Sequence, residues 1–271
     1  VAHGSHDAHK LAEYLRAGLL TEVAPPTKAQ EATRALVRQR SACVQDLGRA
    51  RHRLSKFLLR RHLTHDGKNW AAKHLAWLHT LKLEDATDPV VLRDLLGEVE
   101  HQLQRKGQLT KALQEVAMHE RYATRVGLLR CFRGIELVTA MTIWAELFSF
   151  ERSDTAKKRM GDLGLTPSEH TSGVVRRAGS TRAGNRRVRT ALTEAAQHSS
   201  KAVHLGPALR ARRANQPPDV VALADRAMQR QHALYWRLIN RGKHRNVAVT
   251  ACARELTGFI WALLHGQVVT G

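Results

Sequence analysis

Apolar residues recur at three- and four-residue steps along most of this chain, the period of amphipathic helices. From Thr27 to His62 the stripe is Leu36, Val37, Cys43, Val44, Leu47, Leu54, Leu58 and Leu59, with basic residues between them. No proline interrupts it and Gly48 is its one glycine. This predicts a single long, coiled-coil-like helix with a basic outer face. Val90 to Val126 repeats the pattern through Leu92, Leu95, Leu96, Val99, Leu103, Leu109, Leu113 and Val116, with Gly97 and Gly107 as weak points. A shorter helix over Trp70 to Leu83 lies between them. Its Trp70 and Trp77 are seven residues apart and read as core anchors rather than base-stacking residues. Two long helices around a short one predict an antiparallel helical arm, which either dimerises or closes as an intramolecular bundle.

Helical patterns also flank this arm. Asp7 to Ala17 carries Ala8, Leu11, Ala12 and Leu15 on one stripe, with Asp7 placed as a cap at its start, and Pro25-Pro26 ends that element. Leu128 to Phe150 reads as a helix, a tight turn at Gly134 and an apolar helix, which resembles a helix-hairpin-helix. Such a hairpin holds a DNA phosphate on backbone N–H groups without reading bases. Glu136 stands where that motif usually has a second glycine, and its carboxylate opposes a phosphate there. A short helix follows over Asp154 to Leu163. Asn185 then caps a helix from Arg186 to Ala196 whose Val188, Ala191, Leu192, Ala195 and Ala196 share one face. Leu205 to Asp219 reads as a basic connector, and Val220 to Asn240 and Asn246 to Leu264 as closing helices. No stretch reads as a strand, so the expected fold class is all-α. No apolar run is read as a membrane span, and the opening residues do not read as a signal peptide.

Composition adds a partner to this picture. The 271 residues are 43% hydrophobic, enough for a sizeable core, and carry a formal net charge of +20. That excess favours a polyanion, with nucleic acid first. Cys43, Cys131 and Cys252 are far apart and form no CxxC pair, so they read as buried small apolar residues. Sixteen histidines include the pairs His6/His9 and His62/His65, but no cysteine or carboxylate completes a zinc pattern. They read as surface or RNA-facing residues.

The most distinctive stretch is Gly164 to Arg189, GLTPSEHTSGVVRRAGSTRAGNRRVR. It holds Arg176, Arg177, Arg182, Arg186, Arg187 and Arg189, and no acid lies between Glu169 and Glu194. Guanidinium groups suit phosphate, being planar, permanently charged and bidentate. The stretch runs into a helix N-terminus, whose free N–H groups also favour anions. It reads as a basic, serine-bearing loop. Ser168, Ser172 and Ser180 are its candidate nucleophiles, and chemistry alone does not separate them from turn formers.

Three segments taken together, GIELVTAMTIWAEL, MGDLGLTPSEHTSG and AGSTRAGNRRVRTAL, resemble the bacterial insertion-sequence transposases called DEDD transposases, after the acids of their RuvC-like nuclease domain. The matching positions are Gly134, Ile135, Thr139, Ala140, Gly164, Leu165, Pro167, Ser172, Gly173, Gly184, Asn185, Arg186 and Arg189. They cover roughly residues 128 to 200, and the preceding arm fits the same family less specifically.

The resemblance implies a function. Ser172 is the implied nucleophile, forming a covalent 5′-phosphoserine link with DNA during strand exchange. Arg176, Arg177, Arg182, Asn185, Arg186 and Arg189 are the implied DNA- or RNA-binding residues. Mg²⁺ held by the RuvC-like acids is the implied activator, and Asp7, with Ala8, Leu11 and Ala12, resembles the end of the segment that carries the last acids. The third acid falls on Gly4, so at most one of four metal-binding carboxylates is expected here, as in a family member shortened at its N-terminus. Expected partners are element-end and target DNA, a structured guide RNA to which specificity is delegated, and further copies in an oligomer. No membrane is expected, and the implied location is cytoplasmic, with the bacterial nucleoid. The implied organisation is a RuvC-like remnant over 1–24, a helical arm over 25–126, a serine-bearing transposase domain over 127–204 and completing helices over 205–271. Two non-catalytic alternatives follow from the same residues: a DNA- or RNA-binding remnant, and an inhibitor of full-length transposase acting through mixed oligomers.

Overall fold

The computed structural model describes residues 2–20, 25–148, 155–172, 175–180 and 184–265, and the side chains of residues 2–6 and 167–180 are not described. The fold is all-α with one small hairpin added. Helix α1 spans Ala2–Arg16 and α2 spans Lys28–Leu59. Thr27 caps α2 through a reciprocal capping box with Gln30, which satisfies two donors that a helix start leaves free. The short α3, Ala72–Thr80, precedes α4, Asp88–Met118. Helices α2 and α4 pack along one another as the predicted arm.

The arm has its own small core near α3, made of Leu47, Ala50, Leu54, Phe57, Leu58, Leu78, Leu92, Leu96 and Val99. Trp70 and Trp77 pack against it as anchors. At mid-arm the Cys43 thiol lies against Gln102, and Arg40 donates to Thr110 Oγ1 at 3.0 Å. At the base, Val37, Leu113 and Ala117 enter the main core. There Thr33 and Tyr122 share a buried hydrogen bond of 2.8 Å that ties α2 to the next helix.

The main core is built from α5 (Glu120–Leu129), α6 (Leu137–Leu147), α8 (Arg186–Ala196), α10 (Pro218–Asn240) and α11 (Arg245–Leu264), with Leu163 and Leu165 after the short α7 (Ala156–Asp162) and the short α9 over Pro207–Arg213 beside them. Helix α11 is long and apolar enough to cross a membrane, contrary to the sequence reading of that segment. Its Cys252, Leu256, Ile260 and Leu263 are instead core residues, and it packs on α7, α8 and α10. Burial pushes the Cys252 thiol up to about 11 and the Cys131 thiol above its usual value, so these thiols stay protonated at neutral pH.

Several sequence expectations are corrected. The periodic run from Val90 to Val126 is two helices, because His119 adopts an extended conformation and its ring caps α5 by accepting from the Arg121 N–H. Hydrophobic spacing alone does not register such a break. Asp7 lies inside α1, five residues past its start, and is not a cap. The basic connector holds α9. His74 is buried at 4% exposure, among Trp70, Trp77 and His65, rather than on the surface. The stretch after Gly164 contains a β-hairpin, with β1 over Pro167–Ser172 pairing antiparallel with β2 over Val175–Ser180. Its sequence lacks the apolar alternation of a half-buried strand, so the pairing is local and rests on backbone hydrogen bonds. The one available signal is glycine after Ser172, in a connection short enough for a two-residue hairpin turn.

Candidate functional site

The hairpin stands on a closed base. Leu163 and Leu165 are buried just before β1, and Gly164 between them has φ +64°. On the return side, the Asn185 N–H donates to the Asp162 carbonyl at 3.3 Å, and Arg189 Nη1 donates to the Leu163 carbonyl at 2.9 Å. Gly184 has φ +87°, and a Cβ there would sit 1.8 Å from the Asp162 oxygen. Only glycine fits this crossing. The two ends of the hairpin are thus fastened to the last turn of α7 and the first turn of α8.

Asn185 does two further things. Its Oδ1 accepts from the backbone N–H groups of Arg187 and Val188, which caps α8. Its Nδ2 donates to Glu146 Oε2 at 3.0 Å. Glu146 lies near the end of α6 and is 6% exposed. Arg38 of α2 grips its carboxylate in a bidentate pair, Nε to Oε1 at 2.8 Å and Nη2 to Oε2 at 2.9 Å. Arg187 Nε stands 3.7 Å from Oε1. Burial alone would raise the Glu146 pKa, but the hydrogen bonds from Arg38 and Asn185 and the nearby arginine charges hold it below the usual carboxylate range. One buried carboxylate therefore joins the arm, the apolar helix α6 and the start of α8. Arg34 adds a second tie from the arm, donating to the Ala145 carbonyl at 3.3 Å and lying over the Phe148 ring.

The three candidate serines separate by register. Ser172 pairs with Val175 at the far end of the hairpin, whereas Ser168 pairs with Gly179 and Pro167 with Ser180 at the base. Arg176 and Arg177 lie on β2 opposite Thr171 and His170. Arg182 lies outside the described residues. Arg186 is exposed on the first turn of α8, and Arg189 is half-buried against Leu163. The structure thus places Ser172, Arg176 and Arg177 on one hairpin, Asn185, Arg186 and Arg189 at its base, and Asp7 on the exposed face of α1. Among the described residues no three His, Cys, Asp or Glu side chains converge as a metal site. Sequence reasoning missed Glu146 and Arg38. They are 108 residues apart, and no local pattern marks a carboxylate on an apolar helix as the partner of an arginine on the arm.

The turn between α5 and α6 is engaged with its own chain. A Cβ on Gly134, which has φ +82°, would meet the Ala195 carbonyl at 2.4 Å. Arg213 Nε donates to the Cys131 carbonyl at 2.9 Å while its Nη1 reaches Asp225. Arg212 of α9 pairs with the Glu136 carboxylate, and Arg133 donates to the Lys201 carbonyl at 3.2 Å.

Comparison with known proteins matches residues 126–212 to the model of the transposase family IS116/IS110/IS902. The matched segment holds the α5–α6 turn, the hairpin and α8. The protein y4qE of Sinorhizobium fredii (strain NBRC 101917 / NGR234), a transposase by its description, is 34% identical over 259 residues, covering 95% of this chain and 63% of the relative. The transposase for insertion sequence element IS1533 of Leptospira borgpetersenii is 34% identical over 238 residues, covering 83% of this chain and 67% of the relative. The chain spans about two thirds of the length of these curated relatives.

Proposed function

This chain belongs to the IS116/IS110/IS902 family of transposases, and from that premise we propose that it takes part in DNA transposition with Ser172 as the attacking group. The observation that carries this reading is the hairpin itself. A serine stands at its far end, basic residues lie on the returning strand, and both ends are fastened to rigid helices. Ser172 Oγ attacks a DNA phosphorus. An Oγ–P bond forms, the P–O3′ bond breaks, and the serine proton passes to the leaving 3′ oxygen. The phosphoserine keeps the bond energy for rejoining to another 3′ end. Arg176, Arg177, Arg182 and Arg186 offset phosphate charge during transfer. Asn185 and Arg189 set the hairpin base.

A neutral serine is a weak nucleophile and needs a base or metal. In this reading Mg²⁺ held by RuvC-like carboxylates would supply that activation, and Asp7 is the one such acid that the resemblance finds in this chain. The stretch alone binds DNA without joining strands. Partners in the full reaction are element-end and target DNA, further copies of the chain, and a structured guide RNA that carries sequence specificity by pairing. The reaction belongs to the bacterial cytoplasm.

The test is a denaturing gel of labelled element-end DNA, Mg²⁺ and RNA transcribed beside the element, incubated with this chain extended by the acid-bearing segment. A covalent protein–DNA band that disappears in Ser172→Ala but persists in Ser168→Ala and Ser180→Ala is the expected result. A band that survives Ser172→Ala overturns the assignment.

A further inference from the structure

We propose that the outward face of α2 is a track for the sugar–phosphate backbone of duplex DNA, starting beside the hairpin base and running to the far end of the arm. The inference rests on the reading that the chain acts on DNA and adds where a duplex lies.

The arm divides its charge unevenly. Helix α2 carries eight Lys and Arg against two acids, Glu31 and Asp46, whereas α4 carries four Lys and Arg against five acids. The α2 charge also has a direction. Gln45, Arg49, His52, Arg53, Lys56 and Arg60 recur at three- to four-residue steps and are all exposed, opposite the buried stripe of Leu47, Ala50 and Leu54. One carboxylate intervenes, Asp46, which pairs with Arg49 on the same helix. Traced back by the same spacing, this face reaches Arg38, whose guanidinium holds Glu146 at the start of α8 and the hairpin base. From Arg38 to Arg60 is about 33 Å at 1.5 Å per residue. That is close to one helical turn of duplex DNA.

Gly48 supplies a second observation. It lies inside α2, where glycine costs about 1 kcal/mol relative to alanine. A Cβ there would touch nothing within 4 Å, so packing does not require the glycine. With Gln45, Arg49, His52 and Arg53 it lines a shallow open groove. Missing side-chain bulk among cations lets a phosphate backbone approach the helix closely. Gly97 and Gly107 on α4 are equally unobstructed but belong to the more acidic helix. The α2 face also lacks an exposed Phe, Tyr or Trp among its described residues. Single strands and RNA loops call for stacking aromatics, so the face suits a duplex backbone.

The experiment measures binding of the full 271-residue chain to a labelled duplex longer than the arm, across a salt series. Arg49→Ala/Arg53→Ala/Lys56→Ala is compared with a charge-matched control, Arg93→Ala/Lys111→Ala/Arg121→Ala, on exposed positions of α4 and α5. The α2 variant should lower the slope of log affinity against log salt by about 3, one per lost phosphate contact, and weaken low-salt binding about tenfold or more. The control should leave the slope unchanged. Gly48→Ala should raise the melting temperature and still weaken DNA binding, which separates a blocked approach from misfolding. If wild type binds DNA with salt sensitivity and both triple variants lose slope equally, the track is wrong and the DNA reading stands. If wild type shows no salt-sensitive DNA binding, both fall. Loss of structured-RNA binding with DNA binding intact also overturns the track, since RNA is then the occupant.

Discussion

At the scale of single residues, Glu146 and its partners give the sharpest expectations. The carboxylate is fully buried, whereas the Arg38 side chain is 43% exposed. Removing either partner therefore does different damage. Arg38→Ala leaves a buried carboxylate with weakened support and should cost about 3 kcal/mol. Glu146→Gln returns Arg38 to water and keeps an acceptor for Asn185, so it should cost about 1 kcal/mol. Denaturant unfolding of the two variants checks the order, and equal losses would contradict it. The Glu146 pKa is lowered in the folded chain. Its stabilisation is thus present above the unfolded carboxylate value and is lost as pH falls through the lower folded value. Arg38→Ala removes the largest opposing influence and leaves burial, which moves the folded Glu146 pKa back up, so the loss of stability on acidification should shrink or reverse in that variant. Gly184 is the other residue with no substitute. Gly184→Ala combines a positive φ with a backbone clash and should destabilise by about 3 kcal/mol, the opposite sign from Gly48→Ala. Thermal melts of the pair measure both.

At the scale of elements, the arm's far end and the hairpin follow different physics. The end near α3 is a compact cluster in which the buried His74 ring packs edge-on to Trp70 and His65. Burial, with the neighbouring His65, lowers the His74 pKa. A lowered histidine pKa means that the unfolded state takes up a proton first as pH falls. The element is therefore at full stability above about pH 6.5 and loses it between there and the lower folded value. Hydrogen exchange in α3 should accelerate on going from pH 7 to pH 5.5, after correction for intrinsic rates, and His74→Leu should flatten that dependence. An unchanged profile in the variant would refute this origin. The hairpin is preceded by the buried Leu163 and Leu165. Its order depends on the base. Arg189→Ala, which removes the bond to the Leu163 carbonyl, should raise protease cleavage within residues 167–180 at little cost to the melting temperature.

At the scale of the whole molecule, two cores and a charge gradient define the arrangement. The main core takes residues from the arm base, from α5, α6 and α8 and from the two last long helices, so the C-terminal helices complete the body that holds the hairpin. With a net charge of +20, the chain should bind any duplex weakly and with strong salt dependence. Ser172→Ala should leave that binding within about twofold on a native gel while abolishing the covalent band of the chain extended by the acid-bearing segment. Loss of both together would show that the serine variant is misfolded or that the serine acts in binding.

How far these features were legible in the sequence depends on the range of the interactions behind them. The long helices, the arm, the Asn185 cap and the apolar face of α8 follow from local periodicity and capping chemistry, because three- and four-residue spacing decides which side chains share a helix face. The basic serine stretch stands out because it holds six arginines with no acid between Glu169 and Glu194. The break at His119 was hidden, since the same apolar spacing continues across it. The hairpin was hidden because its pairing uses backbone groups that every residue carries. The union of Arg38, Glu146 and Asn185 was hidden for a different reason. Three residues from separate helices meet only when the core has packed, and burial turns an ordinary carboxylate into the joint between arm and hairpin. Sequence alone determined where the long helices run, which of their faces are apolar and that the chain carries a large excess of positive charge. Tertiary structure decided where the serine hairpin is fastened, what holds it and which helix face points away from the core, because those depend on contacts between distant parts of the chain.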